Sequence, residues 1–168
     1  MQHNIIQSQF ISKNCLVCGV DNAFGLKTRF FETANGELVA VFSTMKEHQS
    51  YPGMTHGGIS ATILDETIGR AIMLTCPQTF GVTLELTVRY RKPVPLGEEL
   101  KAVGRIVSDN GRIFEGSGEL YLPDGEVAAT ATGKYMKRRL DQITDAEFTS
   151  RQWFADPQPV PEQITIRE

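Results

Sequence analysis

Apolar and polar residues alternate along several segments of the chain, with the period of two that is typical of β-strands. The clearest example is residues 82–90, where Val, Leu, Leu, Val and Tyr alternate with polar residues. Asn-Gly or Asp-Gly pairs, which favour tight hairpin turns, stand at 35–36, 110–111 and 124–125. The pattern predicts six strands, over residues 25–32, 37–44, 82–90, 98–108, 112–122 and 126–138.

Residues 56–76 have a helical pattern instead. On a helical wheel at about 100° per residue, apolar side chains cover more than half of the circumference, which is typical of a buried helix. Pro77 stands where such a helix has to stop. We therefore predict an α+β domain in which one antiparallel sheet of about six strands wraps around a long central helix.

The two ends of the chain show neither the strand-like alternation nor the helical pattern. Residues 1–24 are predicted to form an N-terminal arm, either mobile over 1–14 or folded there as a short helix. The domain itself is expected over residues 25–139. Residues 140–168 are expected to hold a short helix near 146–154 and then a loose, proline-rich tail.

Composition narrows the class of protein. A chain of 168 residues with 40% hydrophobic and 22% charged residues fits one globular domain. The net charge of −3 gives no reason to expect nucleic acid or a membrane as a partner. The first residues have neither a basic region nor a long apolar run, so we expect no signal peptide. An odd number of cysteines then indicates reduced thiols in a cytoplasmic protein.

The start of the predicted helix carries candidate chemistry. His56, Gly57 and Gly58 stand there, and the first N–H groups of a helix have no partner within the helix. These donors and the positive end of the helix dipole suit an oxygen that gains negative charge, such as a thioester carbonyl under attack. Close packing of the helix against a neighbour explains the two glycines equally well.

Asp65 lies two turns further along, at the border of the apolar arc. Desolvation there makes a carboxylate more basic, which suits a general base or a nucleophile. A buried Asp held by hydroxyl or backbone groups is the structural alternative. Glu66 has an ordinary explanation, because Arg70 follows four residues later and can form an ion pair with it.

The spacing of these groups bears on assembly. Gly57 and Asp65 are eight residues apart, which is about 12 Å along a helix. One thioester carbon cannot lie about 3 Å from both. If both groups serve one reaction, the Gly57 of one chain must face the Asp65 of another, which predicts a homodimer with two shared sites.

Taken together, these motifs resemble the PaaI-like hotdog-fold acyl-CoA thioesterases. The resemblance is carried by His-Gly-Gly with Asp65 behind it, and by the strand over 82–90 with the Pro-x-Pro-x-Gly turn at 93–97, and it extends over about residues 25–137. It implies a hotdog fold, hydrolysis of an acyl-CoA thioester, and assembly as a homodimer or homotetramer. We expect no cofactor and no metal.

The resemblance also implies a role for each matching residue. Asp65 would activate water or attack the thioester, and the N–H of Gly57 would polarise its carbonyl. His56 would hold the loop and the start of the helix, and as a candidate catalytic residue it would contact the carbonyl end of the substrate. Thr83, placed by strict alternation on the strand face opposite the apolar residues, would help to place the water, or is an ordinary strand threonine.

Two sets of residues extend this candidate site. Some members of the family carry Asn or Gln aimed at the water where this chain has Ser50, so the neighbouring Gln49 and the nearby His48 are candidate substitutes. Gly58 is expected to contact substrate, and Arg91 and Lys92 to bind the phosphates of CoA. Solubility is the alternative explanation for the two basic residues.

Cys15 and Cys18 form a single CxxC motif. It supplies two metal ligands, whereas a structural zinc needs four, so we expect free thiols in a turn. Two such pairs across a dimer are the alternative.

Two other functions stay open. A hotdog hydratase or dehydratase for acyl-CoA or acyl carrier protein would pair His48 or His56 with the acid. A non-catalytic acyl-binding module would need no carboxylate.

Overall fold

The computed structural model describes residues 1–166, and the elements named below are those of this range. The strands are β1 (Gln2–Ser8), β2 (Ile11–Ser12), β3 (Arg29–Thr33), β4 (Leu38–Ser43), β5 (Thr79–Tyr90), β6 (Glu99–Asp109), β7 (Ile113–Tyr121), β8 (Val127–Arg139), β9 (Trp153–Phe154) and β10 (Gln163–Thr165). The α-helices are α1 (Gly57–Arg70), α2 (Leu140–Ile143) and α3 (Ala146–Arg151), and a 3₁₀ turn over Ala71–Leu74 extends α1.

Within residues 1–166, eight strands form one antiparallel sheet in the order β10-β1-β3-β4-β6-β7-β8-β5. The six strands at the β5 end of this order are those that alternation predicted, although β5 begins three residues earlier, at Thr79. Hairpin turns join β3 to β4, β6 to β7 and β7 to β8, with positive φ at the three predicted glycines, Gly36, Gly111 and Gly125. The predicted α+β architecture is confirmed.

The two ends of the chain differ from the prediction. A mobile arm or helix over residues 1–14 and a loose C-terminal tail are both wrong, because β1 pairs with β3 and β10 pairs with β1. The physical reason is a second, smaller core on the face of the sheet that points away from the helix. There Ile164 and Ile166 cover Phe31, Val39 and Val103. The short helix expected near 146–154 is present as α3.

Helix α1 packs against the other face of the sheet, where it contacts β4, β5, β6, β7 and β8. Ile63, Leu64 and Ile68 have no exposed surface. Glycines let the helix approach closely: a Cβ on Gly104 would lie 2.6 Å from the carbonyl oxygen of Thr67, and one on Gly116 would lie 2.5 Å from Ile68. Gly104 and Gly116 have no side chains, and this lets the sheet lie close against the helix.

Replacing Gly104 by alanine tests this close approach. Its Cβ would meet helix backbone, which cannot rotate away as a side chain can, so we expect the free energy of unfolding to fall by about 1–3 kcal/mol. Urea denaturation measures the loss. Ser108→Ala on the exposed end of the same strand is the matched control, and equal stability of the two variants would contradict the packing described.

Candidate active site

Asp65 lies half-buried on α1 and faces two hydroxyl groups. The Thr83 hydroxyl on β5 donates to its carboxylate, at 2.9 Å from Oδ1 and 3.2 Å from Oδ2. The Tyr135 hydroxyl on β8 lies 3.1 Å from Oδ1 and 3.2 Å from the backbone oxygen of Asp65. Two neighbouring strands thus hold one carboxylate in a fixed orientation.

Tyr135 reaches this position because glycines flank its ring. A Cβ on Gly133 would lie 2.6 Å from the ring, and one on Gly69 would lie 3.2 Å from it. Phe114 stacks on the ring, with centroids 5.0 Å apart. Sequence reasoning missed Tyr135. The usable signal was a tyrosine on the inward-facing side of a strand, since a buried phenol usually finds a hydrogen-bond partner.

The electrostatics of Asp65 follow from this enclosure. Burial raises the pKa of Asp65 above its ordinary value, hydrogen bonds from Thr83 and Tyr135 offset part of the rise, and the adjacent Glu66 carboxylate adds to it. Burial and the Asp65 carboxylate also raise the pKa of Tyr135, so its hydroxyl stays protonated and acts as a donor. The result is a carboxylate that is more basic than one in water.

Thr83 contacts Asp65 from the face of β5 that strict alternation did not predict. The register between β5 and β8 shifts between Thr83 and Glu85, which makes Leu84 the extra residue of a β-bulge. The bulge brings Thr83 onto the face whose Leu86 and Val88 pack against the core. The predicted opposite face is therefore wrong, because one inserted residue reverses the alternation on either side of it.

The start of α1 is organised by His56 and Tyr90. His56 caps the helix, and its Nδ1 accepts the N–H of Gly58 at 2.9 Å. The Tyr90 hydroxyl, at the end of β5, donates to the carbonyl of Gly57 at 2.8 Å. The N–H of Gly58 is thus used by the cap, and of the two glycines Gly57 is the better placed to offer an N–H to a ligand.

The two loop candidates lie on the Gly57 side of α1. Gln49 forms an isolated bridge with Thr55, and its side-chain oxygen accepts the N–H of Gly53 at 3.1 Å. His48 is only 4% exposed. Its Nδ1 accepts the N–H of Met45 at 3.1 Å, and its Nε2 lies 2.7 Å from the carbonyl oxygen of Phe24. Both ring nitrogens of His48 are therefore engaged in holding the loop.

Arg91 and Lys92 directly follow Tyr90, so they lie near the start of α1. Both side chains are exposed. The backbone N–H groups of both residues donate to the carbonyl of Ala128, and Lys92 forms an ion pair with Glu126.

Space around Asp65 is limited in a single protomer. The cavity that it lines with Gly69, Gly81 and Thr83 measures about 50 Å³, which is room for water and not for a thioester. A larger cavity of about 930 Å³ lies between β1, Trp153 and the start of α2, and Phe80 lines both cavities. Asp65 and Gly57 lie eight residues apart along α1. A single chain therefore does not bring the two groups together.

Comparison with known proteins finds similar sequences and similar structures. A family model described as the thioesterase superfamily matches residues 52–129, which contain Gly57, Asp65 and Thr83. A crystal structure of a thioesterase superfamily protein is 30% identical, with a TM-score of 0.67 over 73% of this chain and 59% of that one. The chain is thus similar to the thioesterase superfamily, and its structure has the hotdog fold.

Two of the curated relatives are acyl-coenzyme A thioesterases. The chain is 30% identical over 109 residues to acyl-coenzyme A thioesterase THEM4 of Xenopus laevis, which covers 64% of this chain and 48% of that protein. It is 26% identical over 81 residues to human acyl-coenzyme A thioesterase 13, covering 48% of this chain and 58% of that protein. The chain thus matches about half the length of these relatives. Within residues 1–166, no helix has the length and apolar character needed to span a membrane.

Removing the Tyr135 hydroxyl tests the electrostatics of the site. In Tyr135→Phe the carboxylate of Asp65 loses one donor, so we expect the pKa of Asp65 to rise further. NMR titration of the Asp65 carboxyl carbon measures this pKa directly. Tyr121→Phe, in which the altered tyrosine stands on β7 and not beside Asp65, is the control. An unchanged or lowered pKa in Tyr135→Phe would show that the hydroxyl does not support the carboxylate.

Proposed function

We propose that this protein hydrolyses an acyl-CoA thioester to a free acid and CoA, with Asp65 as the catalytic carboxylate. The observation that carries the proposal is the half-buried carboxylate, held by Thr83 and Tyr135 and made more basic by burial. Its setting in a thioesterase superfamily fold, with acyl-CoA thioesterases among the relatives, supports this class of substrate.

In this mechanism Asp65 either takes a proton from water as the water attacks, or attacks the thioester carbon itself. The oxygen of the carbonyl gains negative charge and accepts the N–H of Gly57 at the positive end of α1. A thiolate then leaves readily, so a serine–histidine pair is not required. Thr83 and Tyr135 fix the orientation of the carboxylate, and His56 fixes that of the helix start.

The reaction needs Gly57 of one protomer beside Asp65 of another. Strand β5 offers the means, because it is an edge of the sheet and exposes Val82 by 40% and Leu84 by 51%. A long apolar edge of this kind favours pairing with a second strand. Near one end of β5 Thr83 contacts Asp65, and at the other end Tyr90 contacts Gly57. Two antiparallel β5 strands would therefore bring the Gly57 of each chain toward the Asp65 of the other.

Binding of the CoA part follows from the same pairing. Arg91 and Lys92 accompany Gly57 and would bind phosphates at the mouth of the shared site. Gly58 would let the substrate come close to the backbone, because it has no side chain. Gln49, carried by the same loop, would reach the water held by the partner's carboxylate. The assembly proposed is a homodimer with two sites, which can pair further into a tetramer.

The alternative functions have less support. A hydratase or dehydratase needs a histidine beside the acid, whereas His48 is buried with both nitrogens engaged and His56 caps the helix. A binding module needs no basic carboxylate. We place the reaction in the cytoplasm, where structural disulfides are rare, because Cys15, Cys18 and Cys76 are free cysteines.

Asp65→Asn tests the reaction. The amide can neither accept a proton nor attack, so we expect release of free thiol from a panel of acyl-CoAs to fall by about a hundredfold or more. A thiol-reactive dye measures the rate. Glu115→Gln, an exposed carboxylate on β7, is the matched control and should keep the native rate.

Three outcomes would contradict the proposal. One is full activity of Asp65→Asn. Another is a change in enoyl-CoA absorbance without release of thiol, which indicates a hydratase. The third is thermal stabilisation by acyl-CoA without turnover, which indicates a binding module.

Mixed dimers test the shared site. Gly57→Pro removes the N–H while suiting the first position of a helix, and the preceding His56 has the extended backbone that proline favours (φ −61°, ψ 137°). A mixed dimer of Gly57→Pro and Asp65→Asn chains, isolated with two affinity tags, should have one intact site and about half of the native activity. The two homodimers of variants should be inactive. An inactive mixed dimer would mean that both groups act within one chain.

A further inference from the structure

The CxxC motif lies close to the catalytic region without taking part in the proposed reaction. Cys15 and Cys18 stand in a turn that is closed by a hydrogen bond of 2.9 Å from Gly19 N–H to the carbonyl of Cys15. The two sulfur atoms and a carboxylate oxygen of Glu66 lie within 4.8 Å of one another. A Cβ on residue 19 would lie 2.2 Å from the Cys15 carbonyl, so the turn needs its glycine.

The two thiols have opposite environments. Cys15 is half-buried, and its sulfur accepts the N–H groups of Val17 at 3.2 Å and Cys18 at 3.5 Å. Cys18 is 1% exposed, and the guanidinium of Arg70 lies 3.1 Å from its sulfur. Cys15 is thus partly exposed, with N–H donors around its sulfur, whereas Cys18 is buried.

This arrangement favours a thiolate at Cys15. A hydrogen bond from the Cys18 thiol lowers the pKa of Cys15 to about 6, against opposing effects of burial and of Glu66. The same hydrogen bond, together with burial, raises the pKa of Cys18, while the positive charge of Arg70 acts in the other direction. An accessible thiolate beside a protonated partner is the pattern of a reactive dithiol.

A metal ion fits this cluster poorly. Arg70 is buried, its Nε lies 2.7 Å from Glu66, and another of its nitrogens contacts Cys18. The guanidinium also packs over the rings of Phe30 and Trp153, which holds it in place. A fixed positive charge therefore already occupies the position from which a cation would bind Glu66 and Cys18.

We propose that Cys15 and Cys18 form a redox-active dithiol that reacts with low-molecular-weight disulfides and closes to an intramolecular disulfide. The Cys15 thiolate attacks one sulfur of the small disulfide, its S–S bond breaks, and one small thiolate leaves. That thiolate takes the proton of Cys18. The Cys18 sulfur then attacks the Cys15 sulfur and expels the second small thiolate. Two protein thiols are oxidised and one small disulfide is reduced to two thiols.

The order of attack follows from the structure. Cys15 is the accessible sulfur, so it reacts first, and Cys18 resolves the mixed disulfide. Once Cys15 is capped, its negative charge no longer opposes ionisation of Cys18. Arg70, at 3.1 Å, then stabilises the Cys18 thiolate that forms.

Intact mass measurement after exposure to oxidised glutathione tests the proposal. In a Cys76→Ser background, the chain should lose the mass of two hydrogen atoms and keep no adduct. Cys18→Ser should keep one glutathione on Cys15, because nothing expels it. Cys15→Ser should stay unmodified, because Cys18 is buried. Alkylation of Cys15 should be slower in Cys18→Ala, which lacks the hydrogen bond, than in Cys18→Ser, whose hydroxyl can donate one in its place.

Other outcomes would overturn the proposal. A stable glutathione adduct on the chain with both thiols would show that Cys18 does not resolve it. An unmodified chain would show that Cys15 is not reactive. Stoichiometric binding of added zinc with protection of both thiols would assign the cluster to a metal instead. The readout does not involve hydrolysis, so it stands apart from the test of Asp65.

Discussion

The enclosure of α1 by the sheet is the constraint on which the rest of the structure depends. A helix that packs against five strands needs partners for the polar side chains on its covered face, because water has little access to them. Thr67 satisfies its hydroxyl within the helix, on the carbonyl of Ile63 at 2.6 Å. Asp65 instead takes its partners from β5 and β8. Arg70 pairs with Glu66 in the same helix and also contacts Cys18 and the carbonyl of Phe10.

The adjacent carboxylates of Asp65 and Glu66 have different kinds of hydrogen-bond partner. Glu66 receives a full positive charge from Arg70, which also contacts Cys18 and the carbonyl of Phe10. Asp65 receives two neutral hydroxyls instead. Neutral donors orient a carboxylate but compensate its charge less than a cation does. The carboxylate of Glu66 is therefore neutralised as part of the structure, and that of Asp65 keeps the basicity that the proposed reaction requires.

Local patterns in the sequence predicted much of this fold, and long-range contacts account for what they missed. Alternation and turn residues located six strands and the helix, and spacing located the Glu66–Arg70 pair, confirmed at 2.7 Å. Strand β1 was missed because its place in the sheet depends on two pairings, one with β3 and one with residues more than a hundred positions away, around Ile164. Tyr135 was missed because its position depends on Gly69 and Gly133, and Thr83 was placed on the wrong face because a bulge leaves no mark in a period of two.

Strand β5 contributes both to the orientation of Asp65 and to the proposed pairing of two chains. The bulge at Leu84 turns Thr83 inward to Asp65 and leaves Leu84 exposed on an unpaired edge. A twelve-residue edge strand with exposed Val82 and Leu84 is a liability in a protein that stays alone, since bulges and charges usually protect such edges. Here the bulge itself serves the carboxylate, so it cannot be explained as edge protection alone. The same local irregularity therefore orients the candidate base and shapes the edge through which a second chain would complete its site.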